Sequence, residues 1–180
     1  MNETSKQPSR SEKFVAYIFA RCEKDKGVAA RLKRAGNPDT EYQCWELLAN
    51  WGVDLERHDE RLPYATISSA IAVADAKQNG SLKLGQAIAL CYEDGRESDA
   101  AKAKLRRLLA CSDVSEVCRV LRPLLSLINS RVSGHGPLDY ARLLDQLLRY
   151  RFDDSRERVR AQWAQEFYGK VAQENDQEAA

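Results

Sequence analysis

The sequence predicts an all-α protein, a compact bundle of about eight helices, and three observations support this class. Apolar residues recur every three or four positions, as in the run with Leu105, Leu108 and Leu109, which is the spacing of one helix face. No segment alternates apolar and polar residues over the length of a strand, so no sheet is predicted. Clusters of glycine and proline, at residues 36–38 and 133–137, separate the apolar runs. Amphipathic helices joined by short connections are typical of a bundle.

The chain is long enough for one helical domain, predicted at residues 12–169, or for two small lobes. It has 180 residues, of which 43% are hydrophobic, and this is sufficient for a buried core. If there are two lobes, they are predicted to span residues 12–80 and 81–169. The polar ends, residues 1–11 and 170–180, are predicted to be disordered or frayed.

The first predicted helices follow from capping and breaking residues. Ser9 or Ser11 is expected to cap a first helix at about 12–26, and a short basic helix follows at 28–35. A breaker of glycine, asparagine and proline ends it. Thr40 is expected to cap the third helix. The residues of that helix predicted to face inward are Tyr42, Trp45, Leu48 and Ala49.

A polar stretch, residues 52–62, predicts a loop before the fourth helix. Pro63 is expected at the start of that helix, because the first helical N–H groups have no partner and proline lacks one. The fourth helix is predicted to end near Asn79, where an Asn-Gly turn signal occurs. A fifth helix is predicted to start at Ser81.

The second half of the chain shows the clearest helical pattern. Helices are predicted at about 98–110, from Ser112 or Asp113 through Ile128, at about 138–150, and from about Ser155. Pro123 falls inside the second of these and is expected to bend or interrupt it. The reason is that the proline ring opposes the carbonyl four residues earlier.

Charge is segregated along the chain, although the net charge is only +1. Residues 1–36 and residues 96–151 each carry a net charge of +5. Residues 37–95 carry −6 and residues 152–180 carry −3. Because a basic region attracts polyanions even in a nearly neutral molecule, this distribution favours an anionic partner.

Cations stand beside the apolar stripes of several predicted helices. At 100° per residue, those of residues 98–110 fall opposite the leucine stripe. Such helices bury one face and turn cations outward, which suits sequence-independent contact with phosphates. The residues predicted to contact phosphate are Arg31, Arg34, Lys102, Arg106, Arg107, Arg119, Arg122 and Arg142.

Two other interpretations of these cations stay open. They can belong to a solvated surface with ion pairs inside each helix, although acidic residues are scarce at 100–112. They can also form the basic face of a helical adaptor that binds an acidic protein. Trp45 and Trp163 lie on apolar stripes and are predicted to pack in the core. Trp51 stays open between core packing and stacking on a nucleic-acid base.

No catalytic constellation accompanies the cations, so a non-enzymatic protein without metal or cofactor is predicted. The chain has no P-loop, dinucleotide-binding motif or nucleophile elbow. His58 and Asp59 resemble part of a metal-dependent phosphohydrolase site, but His135 is the only other histidine and such sites need more ligands. Five cysteines without C-x-x-C spacing predict buried thiols in a cytoplasmic protein. No transmembrane or signal segment is predicted.

Segments in a fixed order along the chain carry a resemblance to a known family. They are residues 14–17, 30–36, 81–87, 97–98, 105–111, 121–125, 138–144, 158–164 and 167–168. Together they resemble the CasB-type small subunit of the type I-E CRISPR Cascade complex over most of residues 12–169. Residues 37–62 match poorly. Lys33 stands where an arginine is common in the family, which keeps the charge but loses the bidentate fork.

The resemblance implies an all-α, non-catalytic subunit of an RNA-guided complex that acts in antiviral defence in the cytoplasm. It implies contacts with the backbones of CRISPR RNA and target DNA, with other Cascade subunits and with a second copy of the chain, and none with a membrane. The implied role is to hold the guide–target heteroduplex and the displaced DNA strand, the R-loop. Because strand exchange is nearly balanced, contacts with the nucleic-acid backbone can tip it.

Overall fold

The structure is a computed structural model that describes residues 7–169, except for the side chain of residue 133. Within that range the chain forms helices and no β-strand, so the predicted all-α class is confirmed. The predictions for residues 1–6 and 170–180 lie outside the described residues. The α-helices of the described range are α1 Arg10–Lys24, α2 Lys26–Arg34, α3 Trp45–Trp51, α4 His58–Ala74, α5 Leu84–Leu90, α6 Asp99–Leu109, α7 Val114–Arg131, α8 Tyr140–Tyr150 and α9 Asp153–Tyr168. Short 3₁₀ segments occur at Pro38–Cys44, Gly95–Glu97 and Ser133–His135.

Side-chain caps set the start of several helices. Ser9 and Glu12 form a capping box at α1, in which each side chain accepts the backbone N–H of the other. Ser98 accepts the N–H of Ala101 at the start of α6, and Asp113 accepts that of Glu116 at the start of α7. The predicted starts of these three helices therefore lie within a few residues of the observed starts. None of the helices between residues 7 and 169 has both the length and the apolar character needed to cross a lipid bilayer.

The start of α4 differs from the prediction. The helix begins at His58 and not at Pro63, so Pro63 lies inside it. Asp59 and Glu60 in the first turn stabilise this helix start, because their negative charges lie at the positive end of the helix dipole. Pro63 removes one hydrogen bond near the helix start, and burial of the flanking Leu62 and Tyr64 offsets that loss. The helix ends at Ala74, before the predicted Asn79, because Asp75 adopts a left-handed conformation with φ of 49°.

The chain between α2 and α3 also differs from the prediction. Thr40 caps no helix but donates its hydroxyl hydrogen to the Arg34 carbonyl at 2.6 Å, inside the 3₁₀ segment. A 3₁₀ helix turns every three residues, so the face that includes Glu41 and Cys44 points inward. Tyr42 and Trp45 are consequently 59% and 37% exposed, and the prediction that they face inward is wrong. Ala49 is exposed as well, whereas Leu48 is buried as predicted.

The buried apolar residues form one cluster that includes residues on both sides of the region 81–95. Helix α4 packs against α1, α2, α7 and α8, and α5 packs against α9. Pro123 does not interrupt α7, which continues from Val114 to Arg131. Pro123 faces solvent, so water can bond the carbonyl that the proline leaves free. This arrangement leaves the outer faces of α2, α6 and α7 free to carry cations.

Candidate nucleic-acid interface

The two predicted arginines of α2 lie at its C-terminal end, where the helix dipole stabilises cations. Arg31 pairs with Glu46 at 3.1 Å, and the two side chains are 44% and 72% exposed. Exposed pairs of this kind are worth about 0–1 kcal/mol, so a phosphate can compete for Arg31. Arg34 is exposed, and its side chain has no hydrogen bond or ion pair within residues 7–169. Both cations are therefore accessible to an anionic ligand.

Helix α6 presents its cations on the face opposite Leu105 and Leu108, as the helical pattern predicts. Lys102 lies 3.4 Å from the Glu97 carboxylate, and both side chains reach solvent. Arg106 is exposed, and within residues 7–169 its side chain donates only to the Lys102 carbonyl, at 3.4 Å. Arg107 is exposed and has no acidic partner among the described residues. Arg106 and Arg107 are thus neighbouring cations that no carboxylate of the described range compensates.

Arg119 on α7 projects into solvent, with 76% of its side chain exposed. Glu116 lies 3.8 Å from its guanidinium, one helical turn earlier. That carboxylate already accepts the Ser112 N–H at 2.8 Å, and chiefly this hydrogen bond lowers the pKa of Glu116. Because Glu116 serves mainly to close the start of α7, Arg119 remains available to a phosphate.

Arg122, one turn further along α7, lies mostly inside the protein, with 18% of its side chain exposed. Its Nη2 atom is 3.8 Å from Glu41 Oε2, and Glu41 is buried. Arg61 also donates to Glu41, at 2.8 Å. Two guanidinium groups around one carboxylate leave a net charge of +1 beneath the surface. Arg122 therefore adds to the local field, and only the small exposed part of its side chain can contact a ligand.

Arg142 on α8 is bound within the protein. Its Nε and Nη2 atoms both lie 2.9 Å from Oε1 of Glu166 on α9. The Glu166 side chain is 5% exposed and also accepts the Gly85 N–H at 3.2 Å. Arg142 thus neutralises a buried carboxylate, although 38% of its side chain still reaches solvent.

The structure brings some of the predicted residues together and keeps others apart. Arg119 and Arg122 line a shallow groove of about 700 Å³ between the 3₁₀ segment and the starts of α4 and α7. Arg122 and Lys33 line a second cleft, of about 380 Å³. Cations from α2 and α7 therefore meet at one surface, whereas those of α6 line neither cleft.

Sequence reasoning missed the aromatic rim of the groove, formed by Tyr42 and Trp45. The guanidinium carbon of Arg61 lies 4.9 Å from the centre of the Trp45 ring, a cation–π contact. The inner face of the 3₁₀ segment, Glu41 and Cys44, repeats every three residues, but one of the two is charged, so the apolar pattern does not indicate it. Trp51, by contrast, stacks on Tyr17 with ring centroids 5.1 Å apart and packs in the protein.

His58 lies in the first turn of α4 and not in a loop as predicted. Its Nε2 is 3.0 Å from Ser115 Oγ, and Arg61 Nη2 is 3.0 Å from its Nδ1. Since arginine only donates hydrogen bonds, Nδ1 of the neutral ring must accept and Nε2 must carry the hydrogen. That tautomer donates to Ser115 and cannot take its proton, which is the reverse of what a serine nucleophile needs.

The cysteine thiols are also unsuited to nucleophilic chemistry. Burial raises the pKa of Cys44 and of Cys118 to about 12, and that of Cys111 to about 11. A thiol with so high a pKa stays protonated at neutral pH and is a poor nucleophile. Within residues 7–169, no group of three or more histidine, cysteine or acidic side chains could hold a metal ion.

The fold and the exposed cations together define a helical protein with a surface suited to polyanions. A family model described as CRISPR-associated protein Cse2 matches residues 28–168. The CRISPR-associated protein Cse2 of Thermus thermophilus is 30% identical over 120 residues, which are 67% of this chain and 64% of that protein. The match thus spans somewhat less than two thirds of that relative. The chain belongs to the Cse2 family of CRISPR-associated proteins.

Solved structures support the same assignment of fold. CasB from Thermus thermophilus is similar with a TM-score of 0.68 and 24% identity, over 91% of this chain and 100% of that one. CasB from Thermobifida fusca is similar with a TM-score of 0.66 and 19% identity, over 88% and 98% of the two chains. The predicted resemblance to CasB-type proteins is confirmed.

Proposed function

We propose that this chain is a non-catalytic, nucleic-acid-binding small subunit of an RNA-guided CRISPR surveillance complex, Cascade. In this role it stabilises the guide–target heteroduplex and the displaced DNA strand during antiviral defence. The observation that carries the proposal is the set of exposed cations on three helices that, among residues 7–169, have no close acidic partner or only a weak one. They are Arg31, Arg34, Arg106, Arg107 and Arg119.

These cations suit contact with a phosphate backbone and not the reading of bases. Arginine forks match phosphate oxygens, and their contribution does not depend on base sequence. Replacing a DNA duplex with an RNA–DNA heteroduplex is nearly balanced in free energy, so a few such contacts shift the equilibrium. Lys102 adds to this surface on α6, while Arg122 and Arg142 support it from within through Glu41 and Glu166.

The proposal includes partners besides nucleic acid. The chain would contact other Cascade subunits and a second copy of itself in the cytoplasm. The orientation of His58 toward Ser115 and the raised pKa values of the buried thiols support a role without catalysis.

Binding of single-stranded DNA over a series of salt concentrations tests the proposal. The affinity is expected to fall steeply with salt and to depend little on base sequence, because each phosphate contact releases counterions. Exchanging Arg106 and Arg107 for glutamate should weaken binding at least tenfold and leave the helical circular-dichroism signal unchanged. An adaptor for an acidic protein would show no salt-dependent binding of DNA, and that result would contradict the proposal.

A matched control separates the surface of α6 from the overall charge. Lys13 and Lys24 on α1 are exposed, so exchanging both for glutamate makes the same change in net charge. This control should bind DNA nearly as well as the unchanged protein. Equal losses in the two variants would show that only net charge matters and that α6 is not a contact surface.

A further inference from the structure

The second cleft has an apolar wall and a cationic rim. It opens between α4, α7 and the chain that leads into α8, and its volume is about 380 Å³. Small-molecule sites in proteins commonly have volumes of about 300–1,000 Å³. Its apolar wall includes Leu125, Leu138 and Val73, and Val73 is 44% exposed. The cleft is therefore large enough for a small organic group and offers it a partly uncovered apolar surface.

The charges that line this cleft are all positive. Lys33 and Arg122 face it from α2 and α7, and none of its lining residues is an aspartate or glutamate. Arg122 also belongs to the buried group with Glu41 and Arg61, which carries a net charge of +1. Low-dielectric walls concentrate such a field in a cleft. An anion is consequently attracted to it.

The walls of the cleft that α4 and α7 form are short of hydrogen-bond acceptors. The Nε and Nη2 atoms of Arg122 are buried without a hydrogen-bond partner in the described chain. Thr66, which is 2% exposed and also lines the cleft, has a hydroxyl group with no well-formed hydrogen bond there, although Cys118 lies close to it. Buried polar groups in proteins are nearly always paired. Arg122, which lines the cleft, therefore has donors that no acceptor of the described chain uses.

The shallow groove on the other side of Arg122 lacks this character. Its charged lining residues balance, with three arginines against three carboxylates. They are Arg61, Arg119, Arg122, Glu41, Asp113 and Glu116. Of the two recesses next to Arg122, only the smaller cleft joins an apolar wall to a net positive charge.

We infer that this cleft receives one nucleotide of a bound single strand, with its base against the apolar wall at Val73 and its phosphate between Lys33 and Arg122. The inference rests on the proposed function and identifies the group that enters this part of the surface. A phosphate alone would leave the apolar wall uncovered, and an apolar group alone would leave the positive charge of the cleft without an anion. A nucleotide matches both.

The test narrows the cleft without changing its charge. Val73→Trp fills the cleft from α4, and Leu90→Trp is the matched control, because Leu90 is 38% exposed and does not line the cleft. Each protein is titrated with an oligothymidine and with an abasic oligomer that has the same number of phosphates. Val73→Trp should weaken oligothymidine binding about tenfold, because the base loses the burial that the apolar wall provides. Binding of the abasic oligomer should stay unchanged in Val73→Trp. The Leu90→Trp protein should bind both oligomers with the affinity of the unchanged protein.

A second arm tests the phosphate contact. Lys33→Gln should lower the salt dependence of oligothymidine binding by about one phosphate contact. Lys24→Gln, on α1 and outside the cleft, should not. Circular dichroism and unfolding by urea confirm that each variant is folded before it is compared.

Several outcomes would overturn the inference. Val73→Trp could weaken binding of both oligomers equally, which would mean that no base enters the cleft, or it could weaken neither. A third outcome is that Val73→Trp blocks binding of an acidic apolar peptide but not of either oligomer. A fourth is that millimolar deoxythymidine monophosphate shifts the Val73 methyl resonances, whereas Val73→Trp does not change oligomer binding. Those results would assign the cleft to a protein segment or to a free nucleotide. If the unchanged protein binds neither oligomer in a salt-dependent manner, the proposed function itself has failed.

Discussion

Arg142 and Glu166 are joined through a single oxygen, since Nε of Arg142 donates a hydrogen bond to Oε1 at 2.9 Å and Nη2 forms an ion pair with the same atom at 2.9 Å. Glu166 uses its second oxygen to accept the Gly85 N–H, so the pair ties α8 and α9 to the first turn of α5. A carboxylate that is 5% exposed depends on such partners, because burial of an uncompensated charge is costly. A residue predicted to contact phosphate therefore has a structural role.

Arg142→Met should destabilise the protein by about 2 kcal/mol, because it leaves Glu166 without its cationic partner. The loss is smaller than for a fully buried pair, since Arg142 is 38% exposed and water can partly solvate the site. Unfolding by urea, followed by circular dichroism, measures the change. In the double variant with Glu166→Leu, most of the loss should be recovered because no buried charge remains. Unfolding of Arg142→Met at the same urea concentration as the unchanged protein would contradict the structural role.

Gly85→Ala should destabilise the contact between α5 and α9. A Cβ atom at Gly85 would lie 2.4 Å from the Trp163 carbonyl oxygen, so the two helices would have to separate. Crowding of a packed interior by one methyl group typically costs about 1–3 kcal/mol. Gly134→Ala is the control, since a Cβ atom there would meet nothing within 4 Å and its φ is not positive. The midpoint of thermal unfolding should fall for the first variant and stay nearly unchanged for the second.

The fold could be predicted wherever a local signal was strong. Ser98 and Asp113 start helices through side-chain caps, which depend only on residues three positions apart. The 3₁₀ segment could not be predicted in the same way. Its inward face includes a charged residue, Glu41, which is buried because Arg61, twenty residues later, neutralises it. A periodicity search that expects apolar residues on the inner face selects Tyr42 and Trp45 instead.

The exposure of several predicted cations follows from the sequence, but their arrangement in space does not. That Arg34 and Arg107 are exposed follows from their positions on amphipathic helices. The pairing of Arg122 with Glu41 and of Arg142 with Glu166 depends on contacts between distant helices, and a single sequence contains no signal for these. The cleft that Lys33 shares with α7 is hidden for the same reason.

The buried thiols should make the protein less stable in alkaline solution. Burial raises the pKa of Cys44 and Cys118 from 9.0 to about 12, so the unfolded chain loses these protons first as pH rises. The contribution of these protonated thiols to the stability of the fold is therefore complete below about pH 9 and declines between about pH 9 and 12. At about pH 10, deprotonation of each of these thiols in the unfolded chain should lower the free energy of unfolding by about 1 kcal/mol.

Urea unfolding at about pH 8 and about pH 10 checks this prediction, and the quantity compared is the drop in stability between the two pH values. A protein with alanine at both Cys44 and Cys118 should show a clearly smaller drop than the unchanged protein. Burial also raises the pKa of Tyr140 to about 12, so a residual decline above about pH 10 is expected in both proteins. Equal drops between about pH 8 and about pH 10 would show that these thiols do not carry the effect.

Neutralising single exposed arginines should show which of them contact a phosphate group of bound DNA. Arg34→Gln and Arg119→Gln should each lower the slope of log affinity against log salt by about one, because each removes one phosphate contact. Neither should change stability by more than about 0.5 kcal/mol, since Arg34 has no ion pair in the described chain and that of Arg119 is exposed. Lys13→Gln is the control with the same change of charge. A slope that falls equally in all three proteins would show that the cations act only through net charge.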